Sequence, residues 1–359
     1  MSAVAPVDWA RAEQVAITLS ERSPAPDVYV EGWDPPIGLI ERQIEDVTGL
    51  RSAAGTASVD LIDRPTWVRA NVASFRQLLE PVLSKLASQR STSGFAAGAL
   101  NSWSRQVAGA ELGTLLGWMG RRVLGQSDVL VRGDAGDAGA DGAVYLVGPN
   151  LAAMEQRFGF DPIEFRTWVL VHELTHRAQF TGVPWMRGYF TGLVDELLGA
   201  VDPRPEVLLG ALRDALKRPD TALQHLRESG LAGLIAGPEQ RAVIGRIGGL
   251  MSLLEGHGDV TMTRAAGDLV PDADRYARVL AARRANGNPL TKLLKLLTGM
   301  DAKLNQYAAG ERFIAAIEAV GGPRAIDVCW TSPAMLPSID EVRHPQQWLR
   351  RVGLDADVG

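Results

Sequence analysis

The stretch "LVHELTHRAQF" at 170–180 sets two histidines four residues apart, with a glutamate directly after the first. On a helix that spacing stacks His172 and His176 one above the other, so both rings can meet a single metal ion. Glu173 follows about 100° around the same helix, within reach of a water near that ion. Two neutral imidazoles and a carboxylate base are the parts of an HExxH zinc site, and the chemistry they serve is hydrolysis by an activated water. The plainer alternative is an ordinary helix carrying two ring side chains. The flanks weigh against it, because Trp168, Val169, Leu170, Val171, Leu174 and Ala178 are apolar nearly all round. A helix of that kind is expected to be buried, and buried rings need partners.

Zinc catalysis also requires a third protein ligand and an open fourth position. The chain has five histidines. His225, in "TALQHLRESG", falls on a polar amphipathic segment and reads as a surface residue, while His344, in "EVRHPQQW", precedes a proline and reads as structural. The last is in "MSLLEGHGDVTM", where Glu255, His257 and Asp259 gather behind an apolar helical run. Glu255 and Asp259 are four apart and share a face, whereas His257 points roughly opposite on a regular helix. Gly256 and Gly258 are poor helix formers. They either let this helix pack close to the HELTH helix or break it and turn His257 inward.

The elements that must position these residues are mainly helical. In "DRPTWVRANVASFRQLLEP" Val68, Val72, Phe75 and Leu79 line one face, with Asp63 as N-cap and Pro65 in the first turn. "LGTLLGWMGRRVLG" is a second apolar helix, and helical periodicity is expected from the N-terminal connector to about residue 125. Two short β-rich runs follow, "SDVLVR" and "AVYLVGP". The Gly/Asp segment between them lacks the carboxylate spacing of a calcium loop and reads as a hairpin loop. Asn150 is expected to cap the next helix. Asp161, Pro162 and Glu164 then start the HELTH helix with the pattern of a capping box. More helix is expected from 190 onward, broken by Pro and Gly at 202–205, 236–238, 286–289 and 321–323. In "PWMRGYF", Trp185, Arg187 and Tyr189 are candidates to line a cleft, with Arg187 or Tyr189 steadying an oxyanion. Arg177 is expected to pair with a carboxylate, and "LTKLLKLLTGMDAKL" reads as a core helix.

Composition narrows the class. A length of 359 residues, 46% hydrophobic and 22% charged, describes an ordinary globular protein with room for a large core. A net charge of −5 gives no basic footprint for nucleic acid. No apolar run reaches the ~18–20 residues of a membrane span. The start "MSAVAPVDWARAEQ" lacks a signal-peptide pattern, and the single cysteine, Cys329, fits a reducing compartment, so a cytoplasmic protein is expected.

HExxH on one helix followed by ExxxD on another resembles the gluzincin arrangement of thermolysin-like metallopeptidases. That resemblance implies Glu255 as third ligand and Asp259 as the carboxylate that holds a ligand histidine by its outer ring nitrogen. His257 stays open as the alternative ligand. The separation of 79 positions between His176 and Glu255 is longer than in the thermolysin type. Four segments together, "DRPTWVRANVASFRQLLEP", "VLVHELTHRAQFTGVPWMRGYF", "MSLLEGHGDVTM" and "KLNQYAAGERFIAAIE", resemble a narrower actinobacterial zincin-like family of zinc metalloproteases. Its members often carry the label "deazaflavin coenzyme biosynthesis-associated". The resemblance implies a zincin-like α+β fold, predominantly α-helical, with one small β-sheet. Residues 1–125 would form an N-terminal helical region and 126–359 the catalytic region, or the two one continuous domain. It implies one Zn²⁺ per chain and cleavage of a peptide or small amide, with Glu173 as general base. The alternative from another class is a zinc-containing scaffold or binding protein, which would have no use for Glu173.

Overall fold

The structure, a computed structural model, describes residues 7–22, 28, 30–88, 95–128, 142–199, 238–285 and 300–354. It is mainly helical with one three-stranded sheet, as expected of a zincin-like α+β protein. The chain forms two compact units, residues 1–38 with 54–177 and residues 39–53 with 178–359. Among the described residues, no helix is long and apolar enough to cross a membrane.

The first unit is built on helices α1 (Trp9–Ser20), α3 (Arg64–Ser88) and α4 (Phe95–Gly120), while α2 (Ile37–Thr48) belongs from residue 39 onward to the second unit. Gly109, Gly113 and Gly117 recur every fourth residue on α4, and a Cβ on any of them would run into α1 backbone at Asp8, Ala12 or Ala16. Ala12 and Ala16 are themselves fully buried, so the two helices cross with their backbones nearly touching. Trp67, Val68 and Val72 of α3 pack with Trp9, Ala16 and Leu116 beneath Val147. Asp63 Oδ1 accepts from Thr66 N at 2.7 Å, the cap expected for α3.

The sheet has the order β1-β3-β2, with β1 Val59–Ile62, β2 Gly125–Ser127 and β3 Val144–Val147. β1 runs parallel to β3 in the register Val59↔Val144, and β2 runs antiparallel to it in the register Gly125↔Leu146. Two sequence expectations need correction here. β1 lies where only helix was expected, because four residues carry too little periodicity to show and their pairing partner is distant in sequence. The strand expected over "SDVLVR" begins earlier, at Gly125. Its described ladder closes with the bond from Asp128 N to Ala143 O at 2.8 Å. The remainder of that run and the Gly/Asp loop lie outside the described residues.

β3 passes directly into α5 (Gly148–Phe158). Asn150 does not cap this helix: it lies inside the first turn, Val147 precedes the helix, and Pro149 is at its start. The Asn150 side chain is buried and spans three partners instead. It donates to the carbonyls of Gly120 at 2.9 Å and Val123 at 2.7 Å, and it accepts from Arg64 Nε at 2.8 Å. Burial, with Arg121 nearby, lowers the Arg64 pKa from its usual value. The carbonyls of Gly120, at the end of α4, and of Val123, just beyond it, take up the amide of Asn150.

In the second unit α8 (Pro238–Ala265) packs on α10 (Met300–Gly321), with α7 (Met186–Gly199) and α9 (Ala273–Ala285) beside it. The short helices α11 (Asp327–Thr331), α12 (Ile339–Arg343) and α13 (Pro345–Val352) close the chain. Phe313 of α10 meets Trp348 of α13 edge to face at 5.4 Å. α8 runs unbroken through Gly256 and Gly258. A Cβ on Gly256 would fall 2.5 Å from the carbonyl carbon of Gly310, so this glycine seats α8 against α10. Ser338 and Glu341 form a capping box at the start of α12, and Arg351 of α13 binds the same Glu341 carboxylate. Cys329 is fully buried, and that burial pushes its thiol pKa far up, as suits an inert core residue.

Candidate metal centre

Helix α6 (Pro162–Gly182) carries the HELTH sequence. Asp161 Oδ1 accepts from Glu164 N at 2.9 Å and starts it, with Pro162 as its first residue. Phe165, Trp168, Val169, Leu170, Val171, Leu174 and Ala178 are all buried, as the apolar flanks require. Two buried arginines fasten the helix. Arg166 makes a bidentate pair with Glu155 of α5, at 2.8 and 2.9 Å, where both side chains are almost wholly out of solvent. Arg177 donates to three backbone carbonyls: Gly142 at 2.8 Å, Gly55 at 2.9 Å and Ala54 at 3.1 Å. Those carbonyls belong to the approach to β3 and to the segment before β1. These three Arg177 bonds tie α6 to the backbone of both segments.

His172 and His176 are half-buried, and their Nε2 atoms lie 3.0 Å apart with the ring planes at 83°. Two bare imidazole nitrogens at that distance repel through their lone pairs, so either a ring proton or a shared cation must lie between them. Two nitrogens held about 2.0–2.1 Å from one tetrahedral zinc stand roughly 3.3 Å apart, close to the separation found. The ligand-competent atoms of His172, His176 and Glu255 all lie within 4.8 Å of one another. Two imidazoles and one carboxylate form the donor set of a catalytic zinc site, with a coordination position left over. The residues fit the ion.

Glu173 is 7% exposed. Gly125 of the edge strand β2 runs against it: a Cβ there would fall 2.7 Å from Glu173 Cγ and 2.8 Å from Oε1. The carboxylate thus occupies the space a side chain on β2 would fill. A pattern-based reading had no means of linking Gly125 to Glu173, since nothing in sequence joins them.

On α8, His257 is buried and accepts a hydrogen bond at Nδ1 from Gln179 Nε2 at 2.8 Å. The same amide nitrogen donates to Leu254 O at 3.2 Å. Gln179 is wholly buried, and a buried glutamine in an apolar helix is the one signal that could have singled it out. His257 also meets the Trp330 ring at 5.2 Å, and Trp330 O accepts from Trp185 Nε1 at 3.1 Å. Tyr189 packs edge-on against Trp185 at 6.0 Å. Arg187 and Tyr189 are half-buried on α7. Asp259 is half-buried on α8, and its backbone carbonyl accepts from Thr263 Oγ1 at 3.4 Å. His344 is exposed, with Nδ1 3.1 Å from Asp340 O. His225 and residues 290–299 of the lysine-bearing segment lie outside the described residues.

A family model described as zincin-like metallopeptidase matches residues 7–349. The chain belongs to the zincin-like metallopeptidase family. One solved structure, described as "a putative hydrolase with a novel fold from Chloroflexus aurantiacus", is similar over 97% of this chain and 99% of its own. Its TM-score is 0.66, at 30% sequence identity. Among curated proteins, no match is found. Family membership implies a metal, typically zinc, and hydrolytic chemistry.

Proposed function

We propose that this member of the family is a zinc-dependent hydrolase of peptide or amide bonds, with His172, His176 and Glu255 as ligands and Glu173 as general base. The observation that carries this reading is the grouping of those three ligand atoms beside a buried carboxylate that follows the first histidine directly. Zinc, when bound, supplies a Lewis acid that lets water be deprotonated near neutral pH. The chain's own residues divide the remaining work. The two imidazoles and the Glu255 carboxylate fix the position of the ion. Glu173 takes the proton of the attacking water and returns it to the leaving amine. Its place against Gly125 gives the carboxylate one location from which to do both. Asp259 is assigned to hold a ligand histidine by its outer nitrogen, and Arg187 or Tyr189 to steady the oxyanion.

The substrate proposed is a peptide or small amide, with no nucleic-acid partner. The narrower actinobacterial, deazaflavin-labelled resemblance adds no chemical step to it. The test is a screen of zinc-loaded protein against peptides, acyl-amino acids and small amides. Hydrolysis that a chelator abolishes and zinc restores is the expected result. No turnover across all three classes would favour the non-catalytic binding protein.

A further inference from the structure

From the bonds around Gln179 we infer that Gln179 and His257 are positioning residues for the metal centre, a clamp on the turn of α8 that carries Glu255. The inference rests on the zinc reading above and extends it to residues that touch no metal. On α6, His172, His176 and Gln179 stand at i, i+4 and i+7, so all three share one stripe of the helix. On α8, the two groups that Gln179 holds, Leu254 O and His257 Nδ1, bracket Glu255 in sequence. One amide therefore holds the turn of α8 on which the third ligand stands.

The bond pattern also fixes the chemistry of the clamp. Leu254 O can only accept, so the Gln179 atom facing it must be the amide nitrogen. That same nitrogen faces His257 Nδ1, which must then accept, leaving the ring proton on Nε2. His257 is held in this orientation by the Trp330 ring as well. Gln179 and His257 are both almost wholly buried, so loss of either removes a hydrogen bond from a buried polar group. This assigns His257 a role other than that of third ligand.

The test uses full-length, zinc-loaded protein, with zinc affinity measured by competition against a chromophoric chelator. Gln179→Leu and His257→Leu should each weaken zinc about 10–100-fold, the scale of losing an outer partner of a metal site. The double variant should be little worse than either single, since both remove the same interaction. His257→Asn places an amide oxygen where Nδ1 accepts and should restore affinity close to wild type. A metal-ligating His257 would instead lose zinc in His257→Asn as well, and that result overturns the clamp. Wild-type affinity in both leucine variants overturns it too. Ring ¹⁵N shifts should show His257 protonated at Nε2 and bare at Nδ1, and the opposite tautomer contradicts the assignment. His176→Ala separates the two levels. If it keeps full zinc, the metal reading fails and takes the clamp with it. If it loses zinc while both leucine variants bind normally, only the clamp fails.

Discussion

Gly125 on strand β2 and Glu173 on helix α6 are so close that a Cβ on the glycine would stand 2.8 Å from Glu173 Oε1. The proposed base is thus seated by the absence of a side chain on the neighbouring strand. Gly125→Ala should displace the carboxylate and destabilise the fold by about 1–3 kcal/mol, the usual scale of overpacking. Zinc content should stay near wild type, because the ligands lie elsewhere. Thermal unfolding and elemental analysis of the purified variant check both halves. An alanine variant with unchanged stability and unchanged activity would mean the contact has no consequence.

Glu173→Gln should keep zinc and fold while removing the proton acceptor. General-base assistance is worth about 10²–10⁴-fold, so hydrolysis should fall at least that far. The comparison is made at equal zinc occupancy on any substrate the wild type cleaves. Equal rates would point to another base.

The Arg166–Glu155 pair fastens α6 to α5 in the interior. Removing one partner leaves an uncompensated buried charge, at a cost of about 3–5 kcal/mol. Glu155→Gln and Arg166→Met should each show that loss in urea unfolding. A change within error for both would mean the pair is solvated in solution.

Glu341 gives a pH dependence whose sign follows from its surroundings. Burial alone would raise its pKa, but hydrogen bonds from Arg351 and Ser338 together outweigh that and hold it below the ordinary carboxylate value. A carboxyl depressed in the folded state adds stability above its unfolded pKa and loses it as pH falls through the folded one. Wild type should therefore exceed Glu341→Gln in stability at neutral pH, and the gap should close in acid below the normal carboxylate range. A gap that is constant with pH would assign the effect to packing.

Much of the centre was legible because a helix turns spacing into direction. His172, Glu173 and His176 could be placed relative to one another from 3.6 residues per turn alone. Asp161 and Pro162 marked where that helix starts. What could not be read were relations across distant sequence. Gly125 beside Glu173 and Gln179 against His257 depend on which elements pack together, and one-dimensional periodicity carries no such information. Gly256 shows the same limit: its smallness implied a close approach, but the neighbour is Gly310 of α10, which no local pattern names. Asn150 failed for a different reason. Its residue type suits a helix cap, yet the carbonyls of Gly120 at the end of α4 and of Val123 beyond it took its amide.

The central claim is that one zinc ion sits on His172, His176 and Glu255, and metal content per chain tests it most directly. Elemental analysis of protein purified without added metal should give about one zinc per chain. His172→Ala, His176→Ala and Glu255→Ala should each lose stoichiometric zinc while staying folded by circular dichroism. Full zinc content in a His172→Ala/His176→Ala double variant would contradict the claim.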